Sequence, residues 1–162
     1  MVDSPKCASY AEQPEMSAPG ITQKLLPELA KDYSFVALNF ANLDLVGHSG
    51  NYAATVKAVE TIDSCLAQIV PTALANGYTI LITGDHGNAE YMVYDHSINP
   101  LDDPALDGSP CPSHTRNPVP LIVIAETPHT LKTPGGLKDL APTILSLLKL
   151  PIPPEMTGKS LL

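Results

Sequence analysis

Five side chains of metal-ligating type fall in three short motifs. Asp44 and His48 lie in the stretch NLDLVGH, Asp85 and His86 in GDHGN, and His114 in SHTRNPVP. Carboxylate oxygen and imidazole nitrogen are the donors that divalent zinc or manganese accepts. Taken singly, each residue has a plainer reading. Asp44 could cap a following helix, and Gly47, Gly50, Gly84 and Gly87 could serve only as turn glycines. Three loops delivering five such donors to one place would make a metal centre, and its cations would let an acidic chain bind a phosphate ester.

The elements that must carry these residues follow from periodicity. Residues 34–41, SFVALNFA, form an apolar run suited to a strand buried on both faces. A long helix is expected over 51–76, with Val56, Val59, Ile62, Leu66, Ile69 and Ala73 as its apolar stripe and Gly77 where it stops. Residues 78–83 read as a second buried strand, 119–125 as a third, and 137–148 as a short helix with Asp139 in its first turn. A helix capped by Ser17 should run through Ile21, Leu25, Leu26 and Leu29. Strand, helix and strand in this order predict an α/β fold with a mainly parallel sheet flanked by helices.

In such a sheet the carboxyl ends of the strands form the ligand edge. Residues 42–48 follow the first strand and 84–88 follow the second, so Asp44, His48, Asp85 and His86 should meet there. His114 lies five residues before the third strand and would enter a parallel strand at the wrong edge. Either that strand is antiparallel or the long loop over 87–118 stays above the site. The antiparallel reading is preferred, since such members are common in otherwise parallel sheets. His96 and His129 sit in proline-rich loops and are read as surface histidines.

The bulk numbers set limits. With 162 residues the chain fits one domain, and 44% hydrophobic content supports a folded core. A formal charge of −8 argues against nucleic-acid binding, which needs a positive face. Cys7, Cys65 and Cys111 are widely spaced, without a CxxC, and read as reduced thiols. The start MVDSPKCASY is polar, and no apolar run is long enough for a bilayer, so a cytoplasmic protein without a membrane partner is expected.

Counting donors shows a shortfall. Two divalent ions need about four to six donors each, some shared or from water. Five side chains hold one ion well and a second poorly. A nucleophile is also lacking, for no GxSxG is present. Ser49, next to His48, is more readily a helix-capping residue, and Ser113 has no better support.

The ordered motifs NFANLDLVGHSGNYAATVKAVETID, ITGDHGNAEYM, SHTRNPVPLIV and LKDLAPTILSLLKLPIPPEMTGKSLL resemble the C-terminal stretch of the cofactor-independent phosphoglycerate mutases, within the alkaline phosphatase superfamily. The segment SPKCASYAEQPEMSAPGIT resembles the family's return from an inserted phosphotransferase domain, so residues 1–16 are expected to be a connector and 1–162 the C-terminal portion of a phosphatase-like domain. The resemblance implies that Asp44, His48 and His114 bind one ion and that Asp85 and His86 bind a second, manganese first and zinc as alternative. It also implies a partner role for the rest of the enzyme, the N-terminal half, which supplies a further Asp and the serine carrying the phosphoryl group between the 3- and 2-positions of glycerate. Residues 91–112 are long and proline-rich beside compact bacterial forms. The implied function is interconversion of 3- and 2-phosphoglycerate in glycolysis, with the isolated chain inactive as a mutase. A minimal metal-dependent phosphatase and a non-catalytic metal-binding remnant are the alternatives.

Overall fold

The computed structural model describes residues 2–162. Four α-helices and two strands make the frame: α1 (Ala18–Glu28), α2 (Asn42–Gly47), α3 (Tyr52–Ala75), β1 (Ile80–Thr83), β2 (Leu121–Ile124) and α4 (Leu140–Leu147). α3 is the scaffold against which α1 and α2 both pack. Its start is fixed by Asn51, whose side chain accepts a hydrogen bond from the Ala54 N–H at 3.0 Å. Its end is fixed by Gly77, whose φ of 78° is a left-handed turn that costs glycine little.

Two small cores share α3. Ala18, Leu29, Cys65, Ile69 and Ala73 form one, with Phe40 and Ile80 packed against it. Met16, Val46, Ala54 and Ala58 form the other. The expected stripe on α3 is correct in its C-terminal half and rotated in its N-terminal half. Val56 and Val59 are 40% and 48% exposed, whereas Ala54 and Ala58 are buried. Small alanines let α2 approach α3 closely, and the bulkier valines then face outward.

The expected first strand is not formed. Residues 34–41 have no ladder partner among the described residues, and Phe35 and Leu38 stand 56% and 40% exposed. A strand exists only through its neighbours, and apolar composition alone supplies none. The expected mainly parallel sheet is replaced, among the described residues, by one antiparallel pair in which Ile80 faces Ile124 and Thr83 faces Leu121. The antiparallel direction preferred for the strand after His114 is therefore what the structure has. No helix among the described residues is long and apolar enough to cross a membrane.

Three smaller expectations are refined. Ser17 precedes α1 but its side chain makes no capping bond; Pro19 opens the helix instead. The 137–148 helix begins as a 3-10 turn over Leu137–Asp139 before α4. The polar start is tied down at its far end, where the Asn42 side chain donates to the carbonyls of Pro14 and Glu15 at 2.7 and 2.9 Å. Cys7, Cys65 and Cys111 are free thiols.

Candidate metal centre

The segment expected as a loop over 42–48 is the one-and-a-half-turn helix α2, with His48 as its C-terminal cap. Its two buried side chains, Asn42 and Val46, are four residues apart, and so are Asp44 and His48. At about 100° per residue the second pair lies about 200° from the first. Burying Asn42 and Val46 against the chain therefore turns Asp44 and His48 together toward the site. Ser49 does not cap α3 as expected, since Asn51 takes that position; its hydroxyl donates instead to the Val46 carbonyl at 2.6 Å, at the end of α2.

The antiparallel pair explains how His114 arrives. The loop leaving β1 and the loop entering β2 share one edge, and the Thr115 N–H donates to the Gly87 carbonyl at 2.8 Å. His114 consequently lies flat on His86, ring centroids 3.7 Å apart and planes 12° apart.

Asp44 Oδ1 is the centre of the cluster. It lies 3.0 Å from His114 Nε2, 3.2 Å from His48 Nε2 and 3.9 Å from His86 Nε2. The two nearer nitrogens are 3.3 Å from each other. Yet Asp44 Oδ1 is buried and accepts no hydrogen bond, and His86 Nδ1 and Asn88 Oδ1 are in the same condition. Buried acceptors normally find donors. Donor atoms crowded around a buried carboxylate oxygen that accepts no hydrogen bond are arranged as a cation would require.

The lengths agree with that reading. A tetrahedral ion with donors at about 2.1 Å separates neighbouring donors by about 3.4 Å. The triangle Asp44, His48 and His114 has edges of 3.2, 3.0 and 3.3 Å, close to one face of such a tetrahedron. Asp44, His86 and His114 make a second, looser triangle, with donor atoms within 4.8 Å of one another. The Asp44–His48–His114 triangle is the tighter of the two, and all three of its edges lie near the tetrahedral length.

Asp85 and His86 form a separate and more open pair. Asp85 Oδ1 lies 3.6 Å from His86 Nε2, and its side chain is 80% exposed against 33% for Asp44. All five expected residues thus sit at one edge, three of them tightly joined, while His96 and His129 lie elsewhere. His96 Nδ1 contacts the Asp102 carbonyl at 2.8 Å, and His129 lines a groove with Tyr78 and Glu126 at the opposite end of the strands.

Reasoning from sequence missed Asn88 and Glu90. The Asn88 side-chain nitrogen lies 3.2 Å from His48 Nδ1, and Asn88 is itself buried. A methyl group on Gly47 would overlap the Asn88 carbonyl oxygen, so this glycine keeps α2 against the second motif. The only available signal was that Asn88 and Glu90 directly follow Asp85 and His86 in the chain.

Comparison with known proteins gives the same direction. The 2,3-bisphosphoglycerate-independent phosphoglycerate mutase of Desulforudis audaxviator is 48% identical over the whole of this chain, which spans 30% of that relative. The enzyme of the same description from Clostridium botulinum is 46% identical, again with 30% of its length covered. A crystal structure of Leishmania mexicana phosphoglycerate mutase at low cobalt concentration superposes with a TM-score of 0.83 over 96% of this chain, at 29% identity, and this chain covers 30% of it. The chain therefore spans about three-tenths of the length of the relatives it matches. The family model described as the Metalloenzyme superfamily matches residues 1–152. By that match, which covers most of its length, the chain belongs to the metalloenzyme superfamily.

Proposed function

We propose that this chain is the metal-holding part of a phosphoglycerate mutase of the 2,3-bisphosphoglycerate-independent type. Asp44, His48 and His114 hold one divalent ion, and Asp85 with His86 supply part of the coordination of a second. Manganese is the expected ion and zinc the alternative, since the same ligands suit either. The observation that carries the reading is the buried Asp44 Oδ1, without a hydrogen bond, at the corner of a triangle of donors with metal-site edges. Bound ions would polarise phosphoryl oxygens and favour the alkoxide form of an attacking serine.

The remaining donors and that serine come from polypeptide outside these 162 residues. The open Asp85 and the unpaired, exposed apolar residues of 34–41 support this, since both are left without the neighbours they are suited to. Phosphoglycerate is the substrate of the assembled enzyme, and residues 1–16 connect to its inserted domain.

The test is an interconversion assay with 3-phosphoglycerate and manganese. The chain alone is expected to show no turnover but to bind manganese, and Asp44→Ala to lose that binding. Conversion to 2-phosphoglycerate by the pure chain would overturn the partial-site reading, and wild-type manganese affinity in Asp44→Ala would overturn the metal site.

A further inference from the structure

We infer that Glu90 is a positioning residue that holds the His114 loop against the Asp85–His86 loop, and so sets the geometry of the first metal face. The inference rests on the reading of Asp44, His48 and His114 as that face.

Glu90 reaches both loops with one carboxylate. One oxygen accepts from the Asn88 N–H at 2.8 Å, inside its own loop. The other accepts from the Thr115 hydroxyl and from the Asn117 side-chain amide, the latter at 3.0 Å. Thr115 is next to His114, and its N–H is the one that reaches Gly87. Asn117 N–H in turn donates to the Thr115 hydroxyl at 3.2 Å. Glu90 is thus the acid end of a short network spanning 88 to 117, and removing it leaves the main-chain bonds from Thr115 to Gly87 and, farther from His114, from Cys111 to Met92.

Two further facts fit a clamp and not a ligand. Both carboxylate oxygens are already engaged by donors from the loops, whereas Asp44 Oδ1, the ligand oxygen, accepts none. Burial pushes the Glu90 carboxyl up, but donation from Thr115, from its own backbone N–H, from Asn117 and from Asn88 outweighs that and holds it below the usual glutamate range. The room for this network is made by Gly87, where a methyl group would overlap both the Thr115 hydroxyl and the Glu90 carboxylate. The effect on the site is geometric: His114 is the one ligand of the triangle brought by the second loop, and it is on that loop that Glu90 pulls.

The decisive experiment measures manganese affinity by titration calorimetry, with exchange of the Thr115 amide hydrogen in the metal-free chain as a second readout. Glu90→Ala should weaken manganese by about 10-fold, the low end of the loss when a partner bonded directly to a metal ligand is removed, since Glu90 acts on His114 through Thr115. The same variant should speed exchange of the Thr115 amide. Thr115→Val should weaken binding less, Thr115→Ser should restore it, and the Glu90→Ala/Thr115→Val pair should be no worse than Glu90→Ala alone. Thr143→Val, far from the site, controls for general loss of stability. Wild-type affinity in Glu90→Ala overturns the inference, and so does an equal loss of affinity in Thr143→Val at the same loss of melting temperature. If Asp44→Ala binds as the wild type does, the metal reading itself has failed. The Thr115 exchange rate then still decides whether Glu90 holds the loop.

Discussion

Two regions of this molecule are fastened by a carboxylate that accepts N–H groups from distant chain, and they end in opposite states. Asp139 accepts from the N–H groups of Lys159 and Gly136, both at 2.8 Å, and the nearby Thr143 hydroxyl accepts from the Leu161 N–H at 3.0 Å. These bonds dock residues 158–162 onto the start of α4, and neither side chain is left with an unpaired buried oxygen. Glu90 fastens the loops around His86 and His114 in the same manner. Beside it, however, Asp44 Oδ1, His86 Nδ1 and Asn88 Oδ1 are buried without hydrogen bonds. The same fastening closes a structural joint in one place and holds an unsatisfied cluster open in the other. Polar groups that folding leaves unpaired, next to groups it pairs fully, are suited to a partner from outside the fold.

The contrast can be broken most severely at Asp44. Asp44→Ala removes the shared corner of the donor triangle and should lower manganese affinity by more than about 100-fold, beyond the usual cost of losing an outer partner. Calorimetric titration reads this directly. Since an unpaired buried oxygen is removed at the same time, melting temperature should stay level or rise slightly.

On the structural side the expected losses appear in stability alone. A methyl group on Gly158 would overlap the main-chain carbonyl of Lys138, so Gly158→Ala should cost about 1–3 kcal/mol by overpacking. Thr143→Val leaves the buried Leu161 N–H without its acceptor and should cost about 1–3 kcal/mol. At about 2–4 °C per kcal/mol for a chain of this size, thermal unfolding resolves either change. Both variants should keep manganese affinity, and a loss there would erase the distinction between the regions.

Acid should affect the Asp139 joint in a defined window. Donation from the Lys159 N–H, then from the Gly136 N–H, holds the Asp139 carboxyl below its ordinary value of 3.8. A carboxylate whose folded value is depressed contributes stability above the unfolded value and loses it as pH falls through the folded one. Protection of the Lys159 amide from exchange should therefore persist at pH 5 and decline only below about pH 4. Asp139→Asn should remove this pH dependence. The smallest effect is expected at His129, which is exposed and distant from the donors: His129→Ala should bind manganese within about twofold of the wild type, well inside the tenfold loss that even an outer partner causes.

Much of the candidate site was legible before any fold was known, because donor type is a property of single residues. Asp44, His48, Asp85, His86 and His114 lie near one another, and the direction of β2 follows from asking how His114 could join them. The helices were legible where a local signal existed, as with Asn51 and Gly77 at the ends of α3. The 34–41 segment was misread because apolar content does not say whether a neighbouring strand is there to pair. Val56 and Val59 were misread because both faces of α3 are apolar enough for either to be buried, and only the approach of α2 chooses.

The sequence by itself thus determined which atoms could bind a metal, that the stretches of α1, α3 and α4 curl into helices, and the family resemblance that its ordered motifs carry. The tertiary structure alone decided that Asp44 and His48 share one face of a short helix, and that His114 stacks on His86. It alone decided, too, that Glu90 ties two loops 25 residues apart. The division has a physical cause. Ligand chemistry and helix periodicity are fixed within a few neighbouring residues, whereas the distance between two loops is set by what packs beneath them and what hydrogen-bonds across them.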